Sequence, residues 1–446
     1  MILKGTLLIC LCLVIFCLNS GCATTIRKAD MNSETTLSSQ AMKEDLVFLE
    51  KTIKEVHPDP YHATSQKEFE KTMDCLLRRV DSKKLTYDEF YFIVMEAIGL
   101  VKDAHTTAFY NDKEERLPLR WYCSSEGLFL DSDYGSLRSG DEVIPLGNKA
   151  PSEIIKAFST FTPAENQQWI FSNLEEKLSK KAYLEKLGIA DVGEQVSIEV
   201  KSIDNSTKTE VIKLLPQQPT LNNKTSNVCS YKILKNNNLA VLTLNACIDD
   251  DNYRKTLEAF FDKVHRQGIS KIAIDVRKNM GGNSQVIDDF LTYTNVNTYT
   301  NFSEKINFSK QAIGKYGYQK LLEASNAHTT IMLSHKNDHL YDGKIYILTG
   351  KQTFSSGNWF GVIMKDNGIG TVVGEPTGNA PSSYGELLYF TLPNSKIKFQ
   401  VSIAHWVRPN PNNDPATTLQ PDILIPCTRK DIILGRDPVL AWLKQQ

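Results

Sequence analysis

Four short aliphatic runs, Leu239-Ala-Val-Leu-Thr-Leu244, Ile272-Ala-Ile-Asp-Val276, Lys344-Ile-Tyr-Ile-Leu348 and Thr371-Val-Val-Gly374, are separated by helical spacing at residues 253–266 and 285–293. Strands that alternate with helices pair in parallel, and both faces of such a sheet must be covered. Residues 217–446 therefore read as a mostly parallel sheet covered by helices, with ligands expected beyond the carboxyl ends of the strands. Two of those ends carry unusual turns. In Asp275-Val-Arg-Lys-Asn-Met-Gly-Gly-Asn-Ser284, the glycines Gly281 and Gly282 can aim backbone N–H groups into a cavity. Arg277 and Asn279 are expected to hold that turn through hydrogen bonds to its carbonyls. Gly350-Lys-Gln-Thr-Phe-Ser-Ser-Gly-Asn-Trp-Phe360 passes from strand to helix start, where a serine hydroxyl stands among free amides. That geometry suits nucleophilic catalysis, although Ser355 or Ser356 equally suits a plain helix N-cap. If the two strands are neighbours, one amide from each turn would flank a single point, as an oxyanion hole does.

Ahead of this core the pattern is different. From residue 41 to about 108 apolar residues recur at helical spacing: Leu46, Leu49, Ile53 and Val56; Phe69, Met73 and Leu77; Phe90, Ile93 and Ile98. The first run stops at His57-Pro-Asp-Pro60, and Thr86-Tyr-Asp-Glu89 has the spacing of a capping box. The third helix ends at Leu100-Val-Lys-Asp-Ala-His-Thr106. Residues 117–216 read as a β-rich unit, with strands at 127–130, 139–144, 196–200 and 211–215 and a helical insertion at 164–187. Its Leu137-Arg-Ser-Gly-Asp-Glu-Val-Ile-Pro-Leu-Gly147 resembles the core of a PDZ domain.

With 446 residues the chain has length for two or three domains. A net charge of −1 offers nothing to nucleic acid or to an anionic membrane surface. Residues 1–22 differ from the rest: Lys4, then an apolar run from Leu7 to Leu18 too short to span a bilayer, then Asn19-Ser-Gly-Cys22. This resembles a bacterial lipoprotein signal, with Leu18 one place earlier than the usual pattern. It implies lipidation at Cys22, an exported protein held to the membrane only by that anchor, and a polar tether at 23–40. The remaining cysteines, Cys75, Cys123, Cys229, Cys247 and Cys427, are odd in number and irregular in spacing, which argues against a disulfide framework or a zinc site. A Cys229–Cys247 pair stays open.

Taken together, four motifs in order resemble the tricorn-like and C-terminal processing protease family of serine peptidases. They are Asp103-Ala-His-Thr106, the Asp-x-Arg-x-Asn-x-Gly-Gly turn, the Ser355 turn, and Gly368-Ile-Gly-Thr-Val-Val-Gly-Glu-Pro-Thr377. The resemblance implies an α/β and α+β multidomain protein: a helical subdomain (41–116), a PDZ-like unit (117–216) and a tricorn-protease-like, ClpP-crotonase-like core (217–446). It places the nucleophile at Ser355, the general base at His105 and the oxyanion amides at Gly281 and Ser356. Processing proteases of this family use a lysine shortly after the serine as base, but residues 366–395 contain no Lys or Arg, which leaves the serine–histidine plan. For the carboxylate behind the histidine, Asp414 is slightly favoured over Glu386; Asp103 is expected to organise its own turn, and Glu375 to brace the Gly-Glu-Pro-Thr turn. His405, on a strand, is open to a supporting role or a substrate contact.

The expected activity is hydrolysis of a polypeptide substrate through an acyl-enzyme, with no cofactor or metal required. The alternative is a catalytically weak peptide-binding surface protein on the same scaffold, with the PDZ-like unit capturing extended peptide. An α/β-hydrolase esterase fits worse, because Thr353 stands where Gly-x-Ser-x-Gly needs its first glycine and His105 precedes the serine.

Overall fold

A computed structural model describes residues 35–81, 83–110, 115–189, 195–216, 228–324, 329–335 and 339–446. Cys22, its signal and most of the tether lie outside them. Among the described residues no helix is long and apolar enough to cross a membrane.

The N-terminal helices are Ser39–Val56, Gln66–Val80 and Tyr87–Gly99. Their starts follow the chemistry expected: Ser38 and Ser65 each accept a backbone N–H, and Thr86 with Glu89 completes a reciprocal capping box. The third helix is buried nearly all round, from Tyr87 to Gly99, because it lies between the other two and the rest of the molecule.

Residues 121–213 form a five-stranded antiparallel meander, Trp121–Ser124, Gly127–Leu130, Glu142–Leu146, Gln195–Lys201 and Thr207–Lys213. The helix Pro151–Ser159 packs on it, and the insertion supplies the helices Gln167–Lys177 and Lys181–Lys186.

The six-stranded core sheet runs in the order Ile423–Leu424, Thr371–Gly374, Lys344–Thr349, Lys271–Asp275, Leu239–Leu244, Cys229–Leu234. All neighbours are parallel except the last pair. Lys271–Asp275 and Lys344–Thr349 are direct neighbours, with Asp275 opposite Leu348, so the two glycine-bearing turns leave the same edge side by side.

A second, antiparallel sheet lies beside the first. Ser303–Ile306, Lys398–Val407 and Ser383–Thr391 pair in that order. The chain just after His105, Thr107–Ala108, adds to Lys398–Val407 opposite Phe399 and Gln400. This pairing carries the histidine turn from the helical subdomain to the edge of the core where the two glycine-bearing turns emerge. Cys75, Cys123, Cys229, Cys247 and Cys427 are all free thiols, so Cys229 and Cys247 are not joined.

Candidate active site

Ser355 stands between the strand Lys344–Thr349 and the helix Ser356–Asp366. Its backbone adopts φ 52°, ψ −131°, and its side chain makes no cap hydrogen bond. A non-glycine residue in such a region costs on the order of 1–3 kcal/mol and persists only where its surroundings enforce it. The enforcing contacts are visible. Ser355 N–H donates to Asn379 Oδ1 at 3.0 Å, Phe354 N–H to Asn279 O at 2.9 Å, and Ser356 Oγ to Gly282 O at 2.7 Å. Thr353 Oγ1 donates to Val276 O at 2.9 Å. The serine turn is thus bolted to the glycine turn on both sides.

Gly281, at φ 104°, lies against the serine: a Cβ there would stand 2.5 Å from Ser355 Cβ and 3.1 Å from Ser356 N. Ser356 N–H opens the helix and, as one of its first four amides, has no intrahelical acceptor. Gly281 N–H differs from expectation, since it donates to Asn279 Oδ1 at 2.8 Å. Asn279 also donates to Leu244 O at 2.9 Å, so it holds the turn, but by accepting a turn N–H and reaching the neighbouring strand rather than by bonding turn carbonyls. Arg277 does not bind turn carbonyls: its guanidinium spans Asp275 and Asp437, the latter from the start of the C-terminal helix Pro438–Leu443. Nothing local to the turn announces a partner so far along the chain.

His105 arrives on the turn after the third helix. Its ring packs on Phe354 with centroids 4.4 Å apart, and Phe354 stacks on Trp169 at 4.2 Å. Ala104, Ala164, Trp169 and Phe354 form a small apolar cluster of their own, with Phe354 beside both Ser355 and the His105 ring. Gln400 Nε2 donates to His105 O at 2.7 Å, fixing the turn to the antiparallel sheet. His105 Nδ1 is buried with no hydrogen-bond partner. Burial lowers the pKa of the imidazole, against the opposing charge of Asp103.

Asp103 organises this turn: Oδ1 accepts His105 N–H at 2.9 Å, and Oδ2 accepts Thr106 Oγ1 at 2.6 Å and Ser402 Oγ at 2.7 Å. Burial works against its charge, but the buried His57 imidazole, 3.4 Å from Oδ2, together with His105 and Thr106, holds it well below the usual carboxylate range.

Neither acid expected from the sequence contacts His105. Asp414 accepts from Ser382 Oγ and lies 3.9 Å from Arg408 Nη1; Glu386 accepts from Tyr316 Oη at 2.6 Å. Two other carboxyls approach the base: one ligand-type atom each from Asp103, His105 and Glu165 lies within 4.8 Å of the others. The spacing alone would admit a cation, although Asp103 Oδ2 already accepts two hydroxyls and Oδ1 one backbone N–H. His405 stacks on Tyr384 at 4.7 Å, and Tyr384 packs on His57 at 4.4 Å, an aromatic layer behind Asp103. Glu375 accepts from Tyr122 Oη and from Cys427 N–H, each at 3.2 Å, and so braces its turn against the β-rich unit.

The insertion contributes what sequence reasoning missed. Asn166 donates to Thr377 O and Thr417 O, Trp169 stacks under the serine turn, and Glu175 pairs with Lys351, whose ammonium also donates to Cys123 O at 2.8 Å. Glu165 lies just before that helix: its Oε1 accepts from Ala104 N–H and Asn379 Nδ2, each at 3.3 Å, and its Oε2 is buried without a partner.

Residues 238–425 match the family model described as Peptidase family S41. This stretch is a family S41 peptidase core. It holds Gly281, Ser355, Ser356, Glu386 and Asp414, whereas His105 and Glu165 are supplied from outside it. Mature CPAF complexed with lactacystin superimposes on the chain with a TM-score of 0.68 at 14% identity, covering 91% of this chain and 97% of that one. A crystal structure of mature CPAF gives a TM-score of 0.68 at 15% identity, covering 91% of this chain and 96% of that one. At such identities the likeness is one of fold, and it extends beyond the S41 core to the helical subdomain and the β-rich unit. No curated protein sequence matches the chain.

Proposed function

We propose that the chain is an exported serine endopeptidase that cleaves polypeptides through an acyl-enzyme on Ser355. The observation that carries this reading is the parallel pairing of Lys271–Asp275 with Lys344–Thr349, which sets Gly281 against a Ser355 held in a high-energy backbone conformation at a helix start. Strain of this kind gathers at sites where it positions a reacting group.

His105 Nε2 takes the Ser355 proton as Oγ attacks the peptide carbonyl. The tetrahedral oxyanion is held by Ser356 N–H, with Gly281 N–H joining when Asn279 Oδ1 releases it. His105 returns the proton to the leaving amine; water, activated by the same imidazole, then frees the acyl group and regenerates Ser355. A lipid on Cys22 anchors the protein at the outer face of the cell membrane, and the PDZ-like unit delivers extended peptide toward the site.

Cleavage of an unstructured protein by wild type beside His105→Ala tests this. Loss of at least a hundredfold in the variant is expected from removal of a general base. Equal rates would overturn the assignment and favour the peptide-binding alternative.

A further inference from the structure

Two buried atoms beside the proposed nucleophile lack partners, and they belong to residues that face each other. His105 Nδ1 has no hydrogen bond; Glu165 Oε2 has none either, although Glu165 Oε1 is fixed by Ala104 N–H and Asn379 Nδ2. A buried polar atom left unmatched is costly, and one ligand-type atom of His105 lies within 4.8 Å of one of Glu165, so the two unmatched atoms are best satisfied by each other.

Building on the serine peptidase reading, we propose that Glu165 is the positioning residue that selects the tautomer of His105. Ionised, its Oε2 accepts the Nδ1–H and leaves Nε2 with the lone pair that receives the Ser355 proton. Protonated, its Oε2–H donates to Nδ1, the imidazole proton sits on Nε2, and the base is idle. The proton that separates the two states leaves the carboxyl for solvent, so nothing beyond water is required.

The competitors are placed elsewhere. Asp103 Oδ1 lies 3.9 Å from Nδ1 but already accepts His105's own backbone N–H; Asp414 Oδ2 accepts from Ser382 and its Oδ1, without a hydrogen bond, lies 3.9 Å from Arg408 Nη1, while Glu386 accepts from Tyr316. Asn379 makes the arrangement a single strap. Its Oδ1 accepts Ser355 N–H and its Nδ2 donates to Glu165, so carboxyl and nucleophile backbone share one amide.

The groups facing Glu165 are Asp103 and His105 from the histidine turn, with His57 behind Asp103, and the neutral Asn379 from the 375–380 turn. Burial first, and then the charge of Asp103, push the Glu165 carboxyl up to about 8. His105 is lowered below its ordinary value, so the imidazole is neutral across that range. The active tautomer therefore grows as pH rises through the titration of Glu165, not that of His105.

Carbon and nitrogen chemical shifts of isotopically labelled histidine report the tautomer directly, and His105 is assigned by its loss in His105→Ala. In wild type the His105 signal should move from the Nε2–H to the Nδ1–H position between about pH 6 and about pH 10. Glu165→Gln should abolish that transition, and Glu165→Asp, which keeps the charge, should retain it at a shifted midpoint. The same transition in Glu165→Gln, or a wild-type signal fixed at one tautomer throughout, would overturn the proposal. Fluorophosphonate labelling rates on the same samples separate the two readings. A tautomer transition without labelling at any pH would keep the Glu165 assignment and reject the serine peptidase; labelling that rises about tenfold along with the transition supports both.

Discussion

Gly281 and Ser355 are packed so closely that a methyl group on Gly281 would fall 2.5 Å from Ser355 Cβ and 3.0 Å from its Oγ. The contact crosses between the ends of two neighbouring parallel strands, so the glycine is a spacer that lets Ser355 occupy the point where two loops meet. Its φ of 104° excludes other residues on a second ground.

Gly281→Ala should therefore displace the serine as well as strain its own turn. Overpacking typically costs 1–3 kcal/mol, and we expect destabilisation of about that size with cleavage reduced below detection. The readouts are the denaturation midpoint and the cleavage rate; a variant as active as wild type would show that the turns separate more freely than their cross-bonds suggest.

Ser355 supplies a test in which stability and activity move in opposite directions. Ser355→Gly removes the penalty of a positive φ, partly offset by the flexibility of glycine in the unfolded chain, for a net gain of about 1 kcal/mol. Ser355→Ala keeps the strain and should melt like wild type. Both should be inactive. A lower melting temperature for Ser355→Gly would mean that the conformation is not strained.

Lys351 and Glu175 form an ion pair with side chains 10% and 11% exposed, joining the serine turn to the insertion helix. Burial first raises the Glu175 carboxyl, to about 6, against the opposing charge of Lys351. Lys351→Met leaves that carboxyl buried and unpaired, which for such pairs costs about 3–5 kcal/mol at neutral pH. A carboxyl raised in the folded state is more readily protonated there than in the unfolded chain. The stability it gives is present below its unfolded value and lost as pH rises through the folded one. The variant should thus recover stability on going from pH 7 to about pH 5, measured by urea denaturation at both. An unchanged deficit would place the cost in packing instead.

Trp169 stacks on Phe354 at 4.2 Å, and Phe354 packs on His105 at 4.4 Å, so the insertion forms the floor of the site. Trp169→Ala should cost about 3–5 kcal/mol, the range for large aromatic truncations, and should lower kcat more than it raises KM, because the base loses its seat. A change confined to KM would make Trp169 a substrate contact.

Much of this was legible from chain order and local chemistry. The alternating aliphatic runs required a parallel sheet, and the Thr86–Glu89 pair marked a helix start that the structure keeps. The glycine and serine turns leave a local trace, but Ser355 as nucleophile and His105 as base were named through the resemblance of four ordered motifs to a family, since each residue alone equally suits a helix cap. Glu165 and Trp169 leave no such trace. Their meaning depends on the insertion folding back across the serine turn, a contact between residues far apart in sequence and built from one stacked ring and one shared amide. The strand Ser383–Thr391 was missed because Glu386, at φ 51°, interrupts its alternation. Asp414 is favoured by its place in the family's motif order, which does not say where a side chain points; in the fold it faces Ser382 and Arg408.

The most direct test of the central claim is mass-spectrometric mapping of the adduct formed by a fluorophosphonate probe on the purified protein, in wild type and in His105→Ala. The modification should fall on Ser355 alone, with the variant labelled at least a hundredfold more slowly. An adduct on Ser356 or elsewhere, or equal labelling of the two proteins, would contradict the nucleophile and base assigned here.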